Sequence, residues 1–385
     1  MGTSGGKLRA VALDGLRGWS ALAVVCIHLS VSLYGAKFPQ IHSTPLTAWL
    51  LNPQMVLAIF LIISGFVLTI NGWRSTDKTG TAVTMARRYT RLVIPILAAT
   101  TLSFVVMSFG WNANVEAGQM VGDGWLTRYL NFPPNVVDML VYTFFGVFVS
   151  QPQNPYQPFL WTMPYELWGS YFVLLVCYFE RQVRRPYTIL IAVILFFLAL
   201  HPLAASLPVG ALLALACRDG MFDRLRGRTF NIAATIAVPA ALFVGGLLSL
   251  SGWTVASNMI TIPLAALIVL CVFLGPALTT FMSNGVSQFL GRISYPIYLV
   301  HFAVLVVPLS HMLVAAQNAG ILRFDIAIAI SVFGVVLSIF AALVFQPVET
   351  FTAWVGRRIA AFVTGRRAPV PTAEPVAPVP APIAR

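Results

Sequence analysis

Apolar runs of about twenty residues recur along most of the chain, and that is the length an α-helix needs to cross a bilayer. They fall at about 12–34, 49–70, 92–110, 136–150, 159–179, 187–200, 206–217, 230–250, 256–274, 294–315 and 326–345, several of them short. Only 9% of the residues are charged and 58% are hydrophobic, against about a quarter charged in soluble domains. A mean hydropathy of +0.83 points the same way. A water-soluble enzyme, a disordered scaffold and a coiled coil are excluded, and the chain reads as an all-α polytopic membrane protein.

Charge then sorts the runs. Lys+Arg number 24 against 12 Asp+Glu, a net +12. On a soluble chain this would point to nucleic acid, but membrane proteins gather Lys and Arg on cytoplasmic loops, so no nucleic-acid partner is expected. With Lys7 and Arg9 cytoplasmic, the 71–91 loop returns inside with Arg74, Lys78, Arg87, Arg88 and Arg91, while 111–135 lies outside with Glu116, Asp123 and Arg128. If 136–150 crossed, Arg181, Arg184, Arg185 and every later basic cluster would lie outside. If it dips in or lies along the outer face, only Lys37, Arg128 and Arg323 remain on the outer side. Asp138 and the Gln/Pro/Asn run 151–158 suit that choice. The expectation is therefore about ten transmembrane helices plus one re-entrant or interfacial segment, with both termini cytoplasmic. A membrane domain would occupy 1–350 and a cytoplasmic tail 351–385, Pro-rich and disordered from about 366. No internal repeat of the inverted-transporter kind is visible. No signal peptide is recognisable, and the first run is expected to be retained. Cys26, Cys177, Cys217 and Cys271 lie in apolar runs without CxxC spacing, so neither a disulfide framework nor a metal site is expected.

Ionisable side chains inside apolar runs are functional candidates by default, because inserting each costs about 2.5–3.5 kcal/mol. The first run, LDGLRGWSALAVVCIH, carries Asp14, Arg17 and His28. At 100° per residue, Arg17 and His28 fall within about 20° of each other, with Asp14 within about 60° of both. His28 would lie roughly 16 Å farther out than Arg17. Structurally, Asp14 and Arg17 can form a local i,i+3 ion pair. In GRISYPIYLVH, Ser294, Tyr298 and His301 share a face, as chemistry or as hydroxyl packing between helices. Glu166 sits in LWTMPYELWGSY near the outer side. Arg87, Arg88 and Arg91 precede the third run; they serve as topology anchors or as a grip for several phosphates, since Arg offers bidentate charge-assisted hydrogen bonds. Ser64-Gly65-Phe66 marks a close helix approach or a bend.

Taken together, LDGLRGWSALAVVCIH, FLIISGFVLT (60–69), RRYTRLVIP (87–95), LWTMPYE (160–166) and LGRISYPIYLVH (290–301) resemble the integral-membrane acyltransferase-3 family. The resemblance covers nearly the whole chain to about 345. It implies transfer of an acyl group, usually acetyl, from cytoplasmic acyl-CoA to a hydroxyl of a glycan or glycolipid presented from outside, as in bacterial inner-membrane multi-pass enzymes that O-acetylate surface polysaccharide. It maps the family's first-helix histidine onto His28, its arginine onto Arg17, its Arg-x-x-Arg pair onto Arg88 and Arg91, its acidic position onto Glu166, and its Ser-Tyr pair onto Ser294 and Tyr295. It also implies the stand-alone form, without a fused hydrolase domain. His28 and Glu166 are thereby the catalytic candidates. Arg17, Arg88, Arg91, Ser294 and Tyr295 are the acyl-CoA candidates, with Asp14, Arg87, Tyr298 and His301 as further positions. Direct transfer and an acyl-enzyme both stay open. The competing classes are a transporter or flippase of a glycan or lipid-linked substrate, whose polar stripe would be a substrate or proton path, and a glycan polymerase. The arginine cluster separates the first from the enzyme, because a transporter has no need of CoA.

Overall fold

The computed structural model describes residues 3–365 apart from 35–36, 42, 45–46, 49–51, 123, 150–152, 181, 226 and 251–254. The tail from 366 and residues Asp123 and Arg181 therefore lie outside the described residues, as do the side chains of Lys7 and Arg9. All regular structure among the described residues is helical.

The helices, in chain order, are α1 (Thr3–Tyr34), α2 (Pro53–Arg74), α3 (Thr79–Ser108), α4 (Asn114–Val121), α5 (Val136–Val149), α6 (Met163–Tyr178), α7 (Pro186–Leu200), α8 (Ser206–Arg218), α9 (Arg228–Leu250), α10 (Val255–Leu274), α11 (Pro276–Met282), α12 (Gly285–Asn318), α13 (Phe324–Val344) and α14 (Gln346–Thr364). Among the described residues six are long and apolar enough to span a membrane: α1, α2, α3, α9, α12 and α13. The pair α10–α11, bent by 90° at Gly275, makes a seventh if counted as one span. Helices α5, α7 and α8 are apolar but shorter. The outward faces carry large apolar side chains such as Leu195, Phe196, Ile236, Phe243, Val336 and Phe340. Contiguous apolar surface of this kind marks contact with something other than water, and on apolar helices that partner is lipid. The chain is a multi-pass membrane protein.

Local chemistry fixes the helix ends. Asn52 caps α2 by accepting from the Met55 amide at 3.1 Å, with Pro53 in the first turn. Asn284 does the same for α12 from the Ser287 amide at 2.8 Å. Within α12, Pro308 supplies no amide hydrogen, and the chain widens into a π-turn over Leu305–Leu309. The Ser310 hydroxyl donates to the Leu305 carbonyl at 2.8 Å. Such local adjustments keep a proline tolerable at membrane depth.

Two apolar cores lie side by side. One joins the second half of α1 to α3, α12 and α13, and the other gathers α2, α6, α8 and α10 around the first half of α1. Glycines set the closest approaches. A Cβ on Gly65 would stand 2.1 Å from the Leu207 carbonyl oxygen, and one on Gly210 would stand 2.0 Å from that of Ile62. Across α1 and α12, a Cβ on Gly18 would meet the Gly291 amide nitrogen at 2.3 Å. The close approach read from Ser64-Gly65-Phe66 is thus real, with α8 as the partner. Gly210→Ala should therefore force α2 and α8 apart and cost about 1–3 kcal/mol, as overpacking does. The check is the melting temperature of detergent-purified protein, which should fall against the parent.

Polar ties close each end of the bundle. At one end Lys78 donates to Glu180 at 2.9 Å, Arg218 pairs with the same carboxylate, and Tyr187 donates to Asp219 at 2.7 Å. The C-terminal ends of α2, α6 and α8 and the starts of α3 and α7 therefore meet there. At the opposite end Lys37 donates to Gln317 at 2.6 Å, and His311 Nε2 approaches the Trp111 carbonyl oxygen at 3.0 Å.

Candidate active site

The polar stripe of α1 faces the seam between the two cores. Arg17 pairs with Asp14 at 3.3 Å, as the i,i+3 spacing predicts, and its guanidinium carbon lies 5.7 Å from the Phe60 ring centre. Its Nε is buried without a partner. Beside it opens a cavity of about 360 Å³ between α1, α2, α3, α6, α12 and α14, lined among others by Arg17, Arg88, Arg91, Glu166, Tyr295 and Glu349. Asp14, Ser294 and Tyr298 also face it, so eight of the eleven candidates share one chamber. Arg87 does not: its guanidinium packs over Gly356 of α14, 2.9 Å from where a Cβ would stand.

The arginines differ in how free they are. Arg88 is buried; its Nε donates to Ser170 at 2.9 Å, and its Nη2 pairs with the Glu166 carboxylate. Glu166 is buried too, with its second carboxylate oxygen unpartnered. Arg91 and Arg292 line the chamber exposed and make no ion pair among the described residues.

This pairing corrects the sequence reading, which placed Arg88 on the cytoplasmic side and Glu166 near the outer side. Helix α3 begins at Thr79, well before its apolar run, so Arg88 stands about 14 Å along it at 1.5 Å per residue. A largely buried 3₁₀ turn over Pro158–Thr162 precedes α6, and Glu166 lies in the first turn of that helix. Both side chains thus lie at one level inside the bundle, buried, where a charge needs its opposite.

His28 occupies a smaller cavity of about 20 Å³, bounded by Val24, Ile27, Pro53, Leu57, Phe159, Trp161 and Tyr298. Val24, Leu57 and Tyr298 line both cavities, so the imidazole sits just beyond the arginine chamber. His28 Nδ1 lies 3.2 Å from the Ser32 hydroxyl. Its ring stacks on Phe159 with centres 3.8 Å apart and on Trp125 at 5.9 Å. His301, fully buried, stacks 5.4 Å from His28 and 4.6 Å from Phe159. Because Ile297 offers a carbonyl oxygen 3.1 Å from His301 Nδ1, that nitrogen carries the proton and Nε2 is left as a bare acceptor. Tyr298 donates to the Phe159 carbonyl and lies 3.2 Å from Thr162 Oγ1, while the Tyr295 hydroxyl donates to Leu92 O at 3.3 Å.

Two charged lining residues escape sequence reasoning. Arg292 lies inside the LGRISYPIYLVH motif, where its neighbours drew the attention. Glu349 comes from α14 (Gln346–Thr364), beyond the last apolar run, where no hydropathy signal marks it. Burial raises the Glu349 carboxyl above the usual carboxylate range, opposed by the nearby Arg91 charge.

A chamber rich in arginine, lying beside the His28 imidazole, has the groups to hold an anion and to accept a proton next to it. Comparisons with known proteins identify the family. The model of an acyltransferase domain family, acyltransferase-3, matches residues 11–345. The chain belongs to this family. It is an acyltransferase, and the resemblance drawn from the motifs holds. It is similar to O-acetyltransferase PaAT-1 of Phomopsis amygdali, 25% identical over 351 residues, covering 75% of this chain and 71% of that protein. No solved structure gives a significant match. Among the described residues there is no group of three or more His, Cys, Asp or Glu able to hold a metal ion.

Proposed function

We propose that this acyltransferase moves an acyl group, acetyl by preference, from cytoplasmic acyl-CoA to a hydroxyl of a glycan or glycolipid on the outer side of a bacterial inner membrane. The observation that carries the reading is the sharing of Val24, Leu57 and Tyr298 by the arginine chamber and the His28 cavity. The acyl-CoA phosphates sit at the chamber mouth on Arg91 and Arg292, with Arg17 deeper. Arg88 acts mainly by holding α6 through Glu166 and Ser170. The pantetheine arm passes Ser294 and Tyr295 and delivers the thioester to His28. There the imidazole takes the proton of the acceptor hydroxyl, whose oxygen attacks the thioester carbon. The carbon–sulfur bond breaks, an O-ester forms, and the CoA sulfur leaves as thiolate, taking up the proton that His28 received. Imidazole suits this work because its ordinary titration lies near neutral pH.

Topology supports the same assignment. The Lys78–Glu180–Arg218 ties bring the C-terminal ends of α2, α6 and α8 to one level, so α6, α7 and α8 run alternately through the bundle despite their length. Counting α1, α2, α3, α6, α7, α8, α9, α10–α11, α12 and α13 gives ten passes, with α5 dipping from the outer side and both termini cytoplasmic. The basic Glu180 end is then cytoplasmic, and the arginine chamber opens toward the CoA pool. The transporter reading offers no use for that chamber.

The test is release of CoA thiol from acetyl-CoA by purified protein. Arg91→Ala and Arg292→Ala should each raise the acetyl-CoA KM by about 10-fold or more, as loss of a charge-assisted hydrogen bond does, with kcat changed much less. Substrate uptake into vesicles with no thiol release would overturn the proposal in favour of transport.

A further inference from the structure

A third cavity, of about 320 Å³, lies beyond His28 at the Lys37 end and is lined by Arg128, Tyr129, Gln153, Gln157 and Trp161 among others. Trp161 also borders the His28 cavity, so the three cavities form one sequence from the arginine chamber through the imidazole to this space. Its chemistry differs sharply from that of the arginine chamber. Trp161 and Tyr129 are half-buried and give it aromatic faces. Gln157 is held rigid at its edge, donating to Ala99 O at 3.2 Å and to Ser103 Oγ at 3.0 Å. Tyr129 packs edge-on to Trp125 at 4.9 Å, and Trp125 stacks on His28, so the aromatic wall is continuous with the imidazole.

The charge of this cavity is specific. Of the three basic residues that sequence reading assigns to the outer side, Lys37 is bonded to Gln317 and Arg323 is paired with Asp325 at 2.7 Å. Arg128 makes no ion pair among the described residues, and it lies on the cavity rim, exposed. A site with aromatic faces, the exposed Gln153 amide and the unpaired Arg128 guanidinium suits a polyhydroxylated ring bearing a carboxylate: the ring faces stack on aromatics, the amide meets hydroxyls, and the planar fork of Arg matches a carboxylate. We propose that this cavity is the acceptor site and that it takes an acidic saccharide, with Arg128 selecting the acid group. The proposal rests on the reading of His28 as the point of transfer, since that is what makes the neighbouring cavity an acceptor site.

The test uses purified protein in nanodiscs and two probes, a glucuronate-containing tetrasaccharide and a neutral glucose tetrasaccharide, with binding followed by saturation-transfer NMR. The acidic probe should bind about 10-fold or more tightly than the neutral one. Arg128→Gln should erase that preference while leaving neutral binding in place, and Trp161→Ala should weaken both; size-exclusion elution confirms that each variant is folded. Equal binding of the two probes, or a preference that survives Arg128→Gln, overturns the proposal. The two readings fail separately. Acidic-probe binding lost in Arg128→Gln, without CoA thiol release, upholds the saccharide site and removes the acyl-CoA reading. Thiol release driven by another acceptor, without saccharide binding, does the reverse.

Discussion

His28→Gln should lower kcat/KM for O-acylation by about 10²–10⁴-fold, the usual contribution of a positioned general base, while the protein reaches the membrane at parental levels. Glutamine keeps a polar side chain of similar reach against Ser32 and Phe159, both of which touch the imidazole, so the substitution removes proton acceptance more than packing. Acetyl-CoA binding should be little changed, because His28 does not line the arginine chamber. Single-turnover assays with labelled acetyl-CoA separate these quantities. Retained acylation in His28→Gln would move the base elsewhere, and His301, with its bare Nε2, would be next in line. A further comparison uses His301→Asn, which can keep the contact to the Ile297 carbonyl but lacks an acceptor at the Nε2 position.

The second large effect concerns stability. Glu166→Gln and Arg88→Met should each cost about 3–5 kcal/mol, because each strands a buried charge beside its former partner. The ion pair itself is not a large net gain: two apolar groups of similar shape often replace such a pair at little cost. The double variant Arg88→Met with Glu166→Leu should therefore melt well above either single one. Thermal unfolding of detergent-purified protein, read by tryptophan fluorescence, measures all three. Single variants that melt with the parent would show that water reaches the pair and that it is not locking α3 to α6. Restored melting in the double variant, with activity still lost, would separate the structural use of Glu166 from any part it plays in the reaction.

Much of this site is legible in one dimension because helices convert spacing into direction. Asp14, Arg17 and the approach to His28 follow from 100° per residue, and the pair and the shared seam are where that angle puts them. Gly65 is readable for the same reason, since only a missing side chain lets backbones meet at that distance. Depth is another matter. Apolar runs locate the hydrocarbon but not where a helix begins, so α3, starting at Thr79, brings Arg88 level with Glu166. The short helices α7 and α8 fall where the apolar runs 187–200 and 206–217 put them, whereas the 90° bend at Gly275, just past the run 256–274, carries no hydropathy signal. Glu349 lay out of reach because its helix is held by packing against α3 through Arg87 and Gly356, a contact between residues far apart in sequence.

The narrowness of the space around His28 has a consequence for the cell as well as for chemistry. A catalyst drawing on reagents from opposite faces of a membrane risks becoming a leak. Among the described residues the arginine chamber and the Arg128 cavity have no lining residue in common; between them lies the His28 space, about 20 Å³ walled by Leu57, Phe159, Trp161 and other largely apolar or aromatic groups. That volume is on the order of a single water molecule, so a hydrated ion cannot pass without shedding its shell in a lining that offers little in return. On the proposed reading, with donor and acceptor on opposite faces, the acyl group would cross this space while hydrated ions are held back.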